Sequence, residues 1–102
     1  MELCQIDHNV FVRHRDEIRD QEQISPDEKL EFAQDVDALV RLAKKMVSRG
    51  RVCIFVTPLL NGEERTKLLA SLTPNHWSAQ VGESLTPEFE GQFFSFHHIR
   101  IW

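Results

Sequence analysis

The sequence predicts an α+β fold: a two-layer sandwich in which a four- or five-stranded, mostly antiparallel sheet carries one long and one short helix on one face. Three observations predict it. They are a helix-start signal followed by a helical apolar stripe, a short apolar run rich in β-branched residues, and an alternating final segment. With 102 residues, 41% of them hydrophobic and 27% charged, residues 1–102 are expected to form a single domain.

The long helix is predicted over residues 26–49. The segment 25–28, Ser-Pro-Asp-Glu, supplies an N-cap hydroxyl, a proline at the first helical position and a carboxylate at the third. Apolar residues then recur at intervals of three and four until Gly50 offers a C-terminal stop. Those apolar residues are Phe32, Val36, Leu39, Ala43, Met46 and Val47.

The central strand and the short helix follow this long helix. The run 52–56 is continuously apolar and rich in β-branched residues, which is typical of a strand covered on both faces. The segment 61–64, Asn-Gly-Glu-Glu, is suited to cap a short helix that contains three leucines and ends near Pro74.

The remaining segments are predicted to be strands and loops. Two strands are expected at 76–81 and 92–102, joined by a loop that contains Gly82, Pro87 and Gly91. Segments 3–6 and 10–14 have an extended pattern and form either a hairpin or one bent strand, and 15–23 is a charged connector. The predicted order is therefore β or ββ, long α, β, short α, β, β.

Composition excludes several classes of protein. No apolar run approaches the roughly 20 residues that a membrane span requires. The formal net charge of -4 argues against a nucleic-acid partner. The acidic, alternating start lacks a secretory signal, and Cys4 and Cys53 have no CxxC spacing and are interpreted as reduced thiols, so the predicted location is cytoplasmic.

No motif for catalysis or cofactor binding is present. The chain lacks the nucleophile elbow GxSxG and the phosphate-binding motifs GxxxxGK[ST] and GxGxxG. His97 and His98 are adjacent, so in a strand they point to opposite faces and do not bind one ion together. We therefore predict no catalytic residue, no metal and no cofactor. The five histidines are His8, His14, His76, His97 and His98.

The final strand carries the most informative pattern. Alternation places five residues on one of its faces: Phe94, Phe96, His98, Arg100 and Trp102. A two-layer domain leaves one sheet face open, and a monomer seldom leaves such an apolar patch exposed. These five residues are the predicted interaction surface, which binds a second copy in a homodimer or another protein.

Three hypotheses about function follow. The leading one is a small cytoplasmic, non-enzymatic protein-interaction module that self-associates through its sheet. The first alternative is a single-stranded nucleic-acid binder, in which rings stack on bases and Arg100 contacts phosphate, although the net charge disfavours it. The second alternative is a small-molecule binder or small enzyme with His76, His97 or His98 as general base.

Overall fold

The elements of the fold are taken from a computed structural model, which describes residues 2–50 and 52–102. The α+β class and a sheet of five strands are as predicted, but there are three helices, none of them long. In chain order the elements are β1 (Glu2–Gln5), α1 (His8–Gln21), β2 (Lys29–Phe32), α2 (Val36–Val47), β3 (Cys53–Thr57), α3 (Gly62–Leu72), a 3₁₀ turn (Thr73–Asn75), β4 (Ala79–Leu85) and β5 (Gln92–Ile101).

The sheet is mixed rather than mostly antiparallel, and β5 is its central strand. It pairs antiparallel with β3 and β4 and parallel with β1, while β2 is parallel to β3. The carbonyls of consecutive strand residues point to opposite edges. Because Ser95 O accepts from Ile6 N and Phe94 O accepts from Thr86 N, β1 and β4 lie on opposite edges of β5. Strands β1 and β3 therefore share one edge of β5.

Helices cover both faces of this sheet, so the expectation of helices on one face is wrong. Along β3, all five residues are buried. The predicted apolar run 52–56 supplies four of them, whereas Val52 precedes the strand and is 42% exposed. Ile54 and Val56 pack in the core under α1, whereas Cys53 and Phe55 pack in a second core under α2 and α3. The molecule thus has a helical layer on each side of the sheet.

The helix predicted over 26–49 is wrong over residues 26–35, because α2 begins only at Val36. Glu28 N donates to Ser25 O at 3.0 Å, so the segment that resembles a capping box closes a turn instead. The next four residues form β2, which pairs with β3 and buries Leu30. The true N-cap of α2 is Asp35, whose Oδ1 accepts from Ala38 N at 2.8 Å. Pairing with a buried strand outweighs the local helix signal.

Helix α1 occupies residues for which the sequence predicted an extended segment and a charged connector. Its N-cap is Asp7, whose Oδ1 accepts from Val10 N at 2.9 Å. The helix buries one narrow stripe and exposes its many charges, which explains why the segment has the composition of a solvated connector. The buried stripe consists of Val10, Phe11, His14 and Ile18.

The other elements agree more closely with prediction. A capping box between Asn61 and Glu64 begins α3, and β5 covers 92–101. Strand β4 begins at Ala79, three residues later than predicted. The 3₁₀ turn is followed by His76, which has a left-handed φ of 56°, and the strand starts only after it. Gly82, expected in a loop, is therefore inside β4.

Candidate interaction site

The predicted interaction surface on β5 is divided by α1. Phe96 is fully buried in the core beneath this helix, and Phe94 packs partly buried against the same core. Trp102, after the end of β5, is 52% exposed. The premise that the whole face is open is therefore wrong, because a helix that the sequence did not predict lies on it. Binding of a partner by these residues stays a prediction.

His98 and Arg100 lie beyond the cover of α1, where two acidic residues meet them. His98 Nδ1 is 3.2 Å from Glu22 Oε2, and Arg100 Nη2 is 3.2 Å from Glu28 Oε2. Both carboxylates belong to residues 22–28, which follow α1 and form one wall of a polar groove. Sequence reasoning missed these two residues because they are more than 70 positions away from their partners.

The polar groove encloses a small cavity of about 190 Å³. It adjoins a shallower depression that Val52 and Trp102 border. The side chains around the small cavity are mostly polar: Glu22, Ile24, Ile54, Gln80, His98 and Arg100. Two carboxylates, Glu22 and Glu28, stand against one guanidinium here, so the groove offers little attraction to a phosphate.

Ser84 also contacts His98 in this groove, with Oγ 2.9 Å from Nδ1. In a nucleophilic Ser-His-acid relay, the hydroxyl and the carboxylate bond to different ring nitrogens. Here Ser84 and Glu22 both approach Nδ1, so the arrangement differs from that relay. A proton on Nδ1 suits both neighbours, because a carboxylate only accepts and a hydroxyl can accept, and in that tautomer Nε2 keeps a lone pair.

The His98 ring lies over the neighbouring strand, directly above Gly82. The two residues are cross-strand partners, and a β-carbon built on Gly82 would overlap the ring at Nε2 and Cε1. A side chain at position 82 would therefore displace the imidazole. Glycine lets the ring extend from β5 across β4, toward the outer edge of the sheet.

His97 occupies the opposite, sealed face. Its Nδ1 accepts from Leu60 N at 2.9 Å, and the side chain is almost fully buried. Burial, reinforced by the Arg65 guanidinium 2.8 Å from Nε2, holds the pKa of His97 below its ordinary value. The residue is therefore a neutral structural histidine that fixes the turn after β3. Of the three proposed bases, only His76 and His98 are reachable from solvent.

Among the described residues, no strand pairs with the outer edge of β4. Ser78 and Trp102 exchange both backbone hydrogen bonds, at 3.0 and 3.1 Å, and Thr86 N donates to Phe94 O. In an antiparallel pair, alternate residues bond to the partner strand, so even-numbered residues face β5 and odd-numbered ones face outward. The outward residues are Ala79, Val81, Glu83 and Leu85. The Leu85 carbonyl accepts a hydrogen bond from Gln21 Nε2. Within 2–50 and 52–102, the other outward backbone groups of these four residues have no hydrogen-bond partner.

The opposite edge strand, β2, differs in length and in charge. It has four residues, and Lys29 and Glu31 form an ion pair at 3.3 Å along it. Short, charged edges resist pairing with another chain. Strand β4 has seven residues with no lysine or arginine among them and a single acid, Glu83. Strand β1, whose described pairing is with β5 alone, has only four residues, so β4 is the longest edge strand and the one suited to pair with an added strand.

In the described part of the chain, no helix has the length and apolarity needed to cross a membrane. Nor does any cluster of three or more histidine, cysteine, aspartate or glutamate side chains, among those same residues, have an arrangement that holds a metal ion. Compared with protein-family models, with curated proteins and with solved structures, the chain matches none.

Proposed function

We propose that this chain is a non-enzymatic interaction module that self-associates by pairing β4 with β4 of a second copy. The observation that carries the proposal is the unpaired seven-residue edge. Its outward N–H and C=O groups provide a template for a further strand. A two-fold axis makes such an interface self-complementary, and closed symmetric dimers are the commonest oligomers.

The charge on β4 selects the register of this pairing. An antiparallel pair centred on Gly82, the midpoint of the strand, uses all seven residues and places Val81 opposite Glu83 of the second copy. It also places Ala79 opposite Leu85, which brings apolar side chains together. A pair centred on Glu83 would set two carboxylates directly opposite each other, which is destabilising. We therefore propose the register centred on Gly82.

The proposed dimer keeps the predicted self-association through the sheet but moves it from a face to an edge. Two five-stranded sheets would join into one sheet of ten strands. The polar groove with His98 and Arg100 would then lie beside the dimer axis, one groove in each copy. Phe96 would serve the core rather than the interface, because α1 covers it.

The proposal is tested by the molar mass of the whole chain in solution, measured by light scattering after gel filtration in EDTA at increasing micromolar concentration. We expect a dimer. In Glu83→Pro the outward N–H is lost while the bonds to β5 remain, so we expect a monomer.

Glu83→Ala is the matched control, because it removes the same side chain and keeps the N–H; we expect it to dimerise. Circular dichroism confirms that both variants are folded. A monomeric wild type, or a Glu83→Pro variant that dimerises as well as Glu83→Ala, would overturn the proposal.

Hydrogen exchange provides a second test without substitution. The amides of Val81 and Glu83 point outward, whereas that of Gly82 already bonds to β5. We expect exchange at 81 and 83 to slow as the protein concentration rises. Exchange at these two amides that does not depend on concentration, in a sample that contains dimer, would place the interface elsewhere.

A further inference from the structure

We infer that two copies paired through β4 form a metal site at their two-fold axis, in which His98 of each copy binds one zinc-class ion through Nε2. The inference rests on the proposed dimer. Three features support it: the polar contacts of Nδ1 with Ser84 and Glu22, the position of the ring over Gly82, and the register centred on that glycine.

The polar neighbours of His98 Nδ1 suit a metal ligand. Nδ1 lies 3.2 Å from Glu22 Oε2 and 2.9 Å from Ser84 Oγ, and in the tautomer with the proton on Nδ1 the lone pair of Nε2 is available to a metal ion. Metal-binding histidines almost always donate their other N–H to a carboxylate, a carbonyl or water, which sets the tautomer and raises the basicity of the ligand. Glu22 supplies this carboxylate.

The position of Nε2 brings two of these atoms close together in the dimer. Nε2 lies above Gly82, and Gly82 lies at the proposed axis. Neighbouring strands are about 4.8 Å apart, so the two Nε2 atoms come to roughly 5 Å from each other. A Zn²⁺ ion binds imidazole nitrogens at about 2.0–2.1 Å. A small inward rotation of each ring therefore closes the site around one ion.

The chemistry of the ligands selects the class of metal. Imidazole nitrogen suits Zn²⁺ and related transition ions, whereas Ca²⁺ and Mg²⁺ require oxygen ligands. Water completes the coordination. His97 is not a ligand of this site, because it lies on the other face of the sheet. Among the described residues of one copy, no three potential metal ligands lie close together. The site is complete only when the second copy supplies its own His98.

Isothermal titration of the full chain with zinc chloride, after removal of metal with EDTA, tests the inference. We expect one ion per two chains and self-association strengthened by about tenfold or more, because the ion binds the dimer and not the monomer. His98→Gln is expected to lose both effects. His76→Ala, which changes an exposed histidine outside the groove, is the matched control and is expected to bind zinc as the wild type does.

A second variant protects the test against misfolding. Glu22→Ala removes the carboxylate beside Nδ1 at a position outside β4, so zinc binding should fall at least tenfold while the dimer persists in EDTA. One ion per chain, or zinc binding that survives in His98→Gln, would overturn the inference. A dimer that forms in EDTA and does not bind zinc would refute the metal site alone. A chain that is monomeric both with and without zinc would refute the metal site and the proposed function together.

Discussion

The two faces of β5 differ in what covers them. On one face His97, Ile99 and Ile101 are almost fully buried by α2 and α3. On the other, Phe96 is buried by α1, but His98 and Arg100 lie beyond this helix and face Glu22 and Glu28 of the short segment that follows it. One strand of alternating residues thus has a sealed face and a half-covered face.

The contrast shows that burial by the helices determines which polar side chains each face of β5 tolerates. Under two helices, the buried histidine of the sealed face is held neutral and bonds to a backbone amide. Beside the open edge, partly exposed polar side chains are tolerated because carboxylates from residues 22–28 lie against them.

Phe96→Ala should have the largest effect, because it opens a cavity in the fully buried part of the half-covered face. We expect the free energy of unfolding to fall by about 3–5 kcal/mol, as measured by urea denaturation. Trp102→Ala, at the exposed end of the same face, is the control and should cost far less. Similar losses for the two variants would contradict the assignment of Phe96 to the core.

His97→Phe tests the hydrogen bond on the sealed face. The change leaves the Leu60 amide buried without its acceptor, and we expect a loss of about 1–3 kcal/mol in the free energy of unfolding. His97→Asn keeps a side-chain acceptor and should recover part of that loss. If the two variants are equally stable, the ring nitrogen does not serve as acceptor.

The depressed pKa of His97 predicts a dependence of stability on pH. Below the ordinary value of 6.5, the unfolded chain takes up a proton at this residue that the folded chain does not, so stability should fall as the pH decreases. The groups that face the ring are Arg65 and Glu83, with His98 adjacent. Urea midpoints in EDTA should decline less steeply with acid in His97→Asn. Equal slopes would mean that His97 titrates normally.

Arg100→Met tests the ion pair with Glu28 on the half-covered face. Because both side chains are partly exposed, we expect a loss of about 1 kcal/mol or less in the free energy of unfolding. The difference from wild type should shrink in concentrated salt, which screens exposed charges. An effect as large as that of Phe96→Ala would indicate a buried ion pair instead.

Gly82→Ala should change stability least, by less than about 1 kcal/mol, since the displaced group is a flexible ring and the added methyl restricts the unfolded chain. Its effect should instead appear in the His98 imidazole signals, measured by NMR, which lose the environment set by Ser84 and Glu22. Unchanged signals would contradict the placement of the ring over Gly82.

The helices and strands that have a distinctive local sequence pattern could be predicted from the sequence. The buried run of β3, the capping box of α3 and the alternation of β5 are local patterns, and each is present in the fold. Helix α1 also had a usable signal, namely Asp7 as N-cap followed by apolar residues three, four and eleven positions later. The many charged residues of α1 made this apolar stripe difficult to recognise in the sequence.

The rest depends on contacts that no local pattern contains. Strand β2 forms because it can pair with the buried strand β3, although the local sequence at Ser25 favours the start of a helix. In the candidate site, the shared face of His98 and Arg100 follows from alternation, but Glu22 and Glu28 approach from the far end of the chain. The free edge of β4 depends on strand order, which a single sequence leaves open.

The central position of β5 also has a consequence for synthesis of the chain on the ribosome. This strand, the last of the five, pairs with β1, β3 and β4, and it joins residue 2 to residue 92. A nascent chain that stops short of β5 has no native partner for β1 or β4. Folding must therefore follow the release of β5, with loop closure across nearly the whole chain, and topologies of this kind fold slowly. We expect the incomplete nascent chain to be the form most exposed to aggregation and to chaperones.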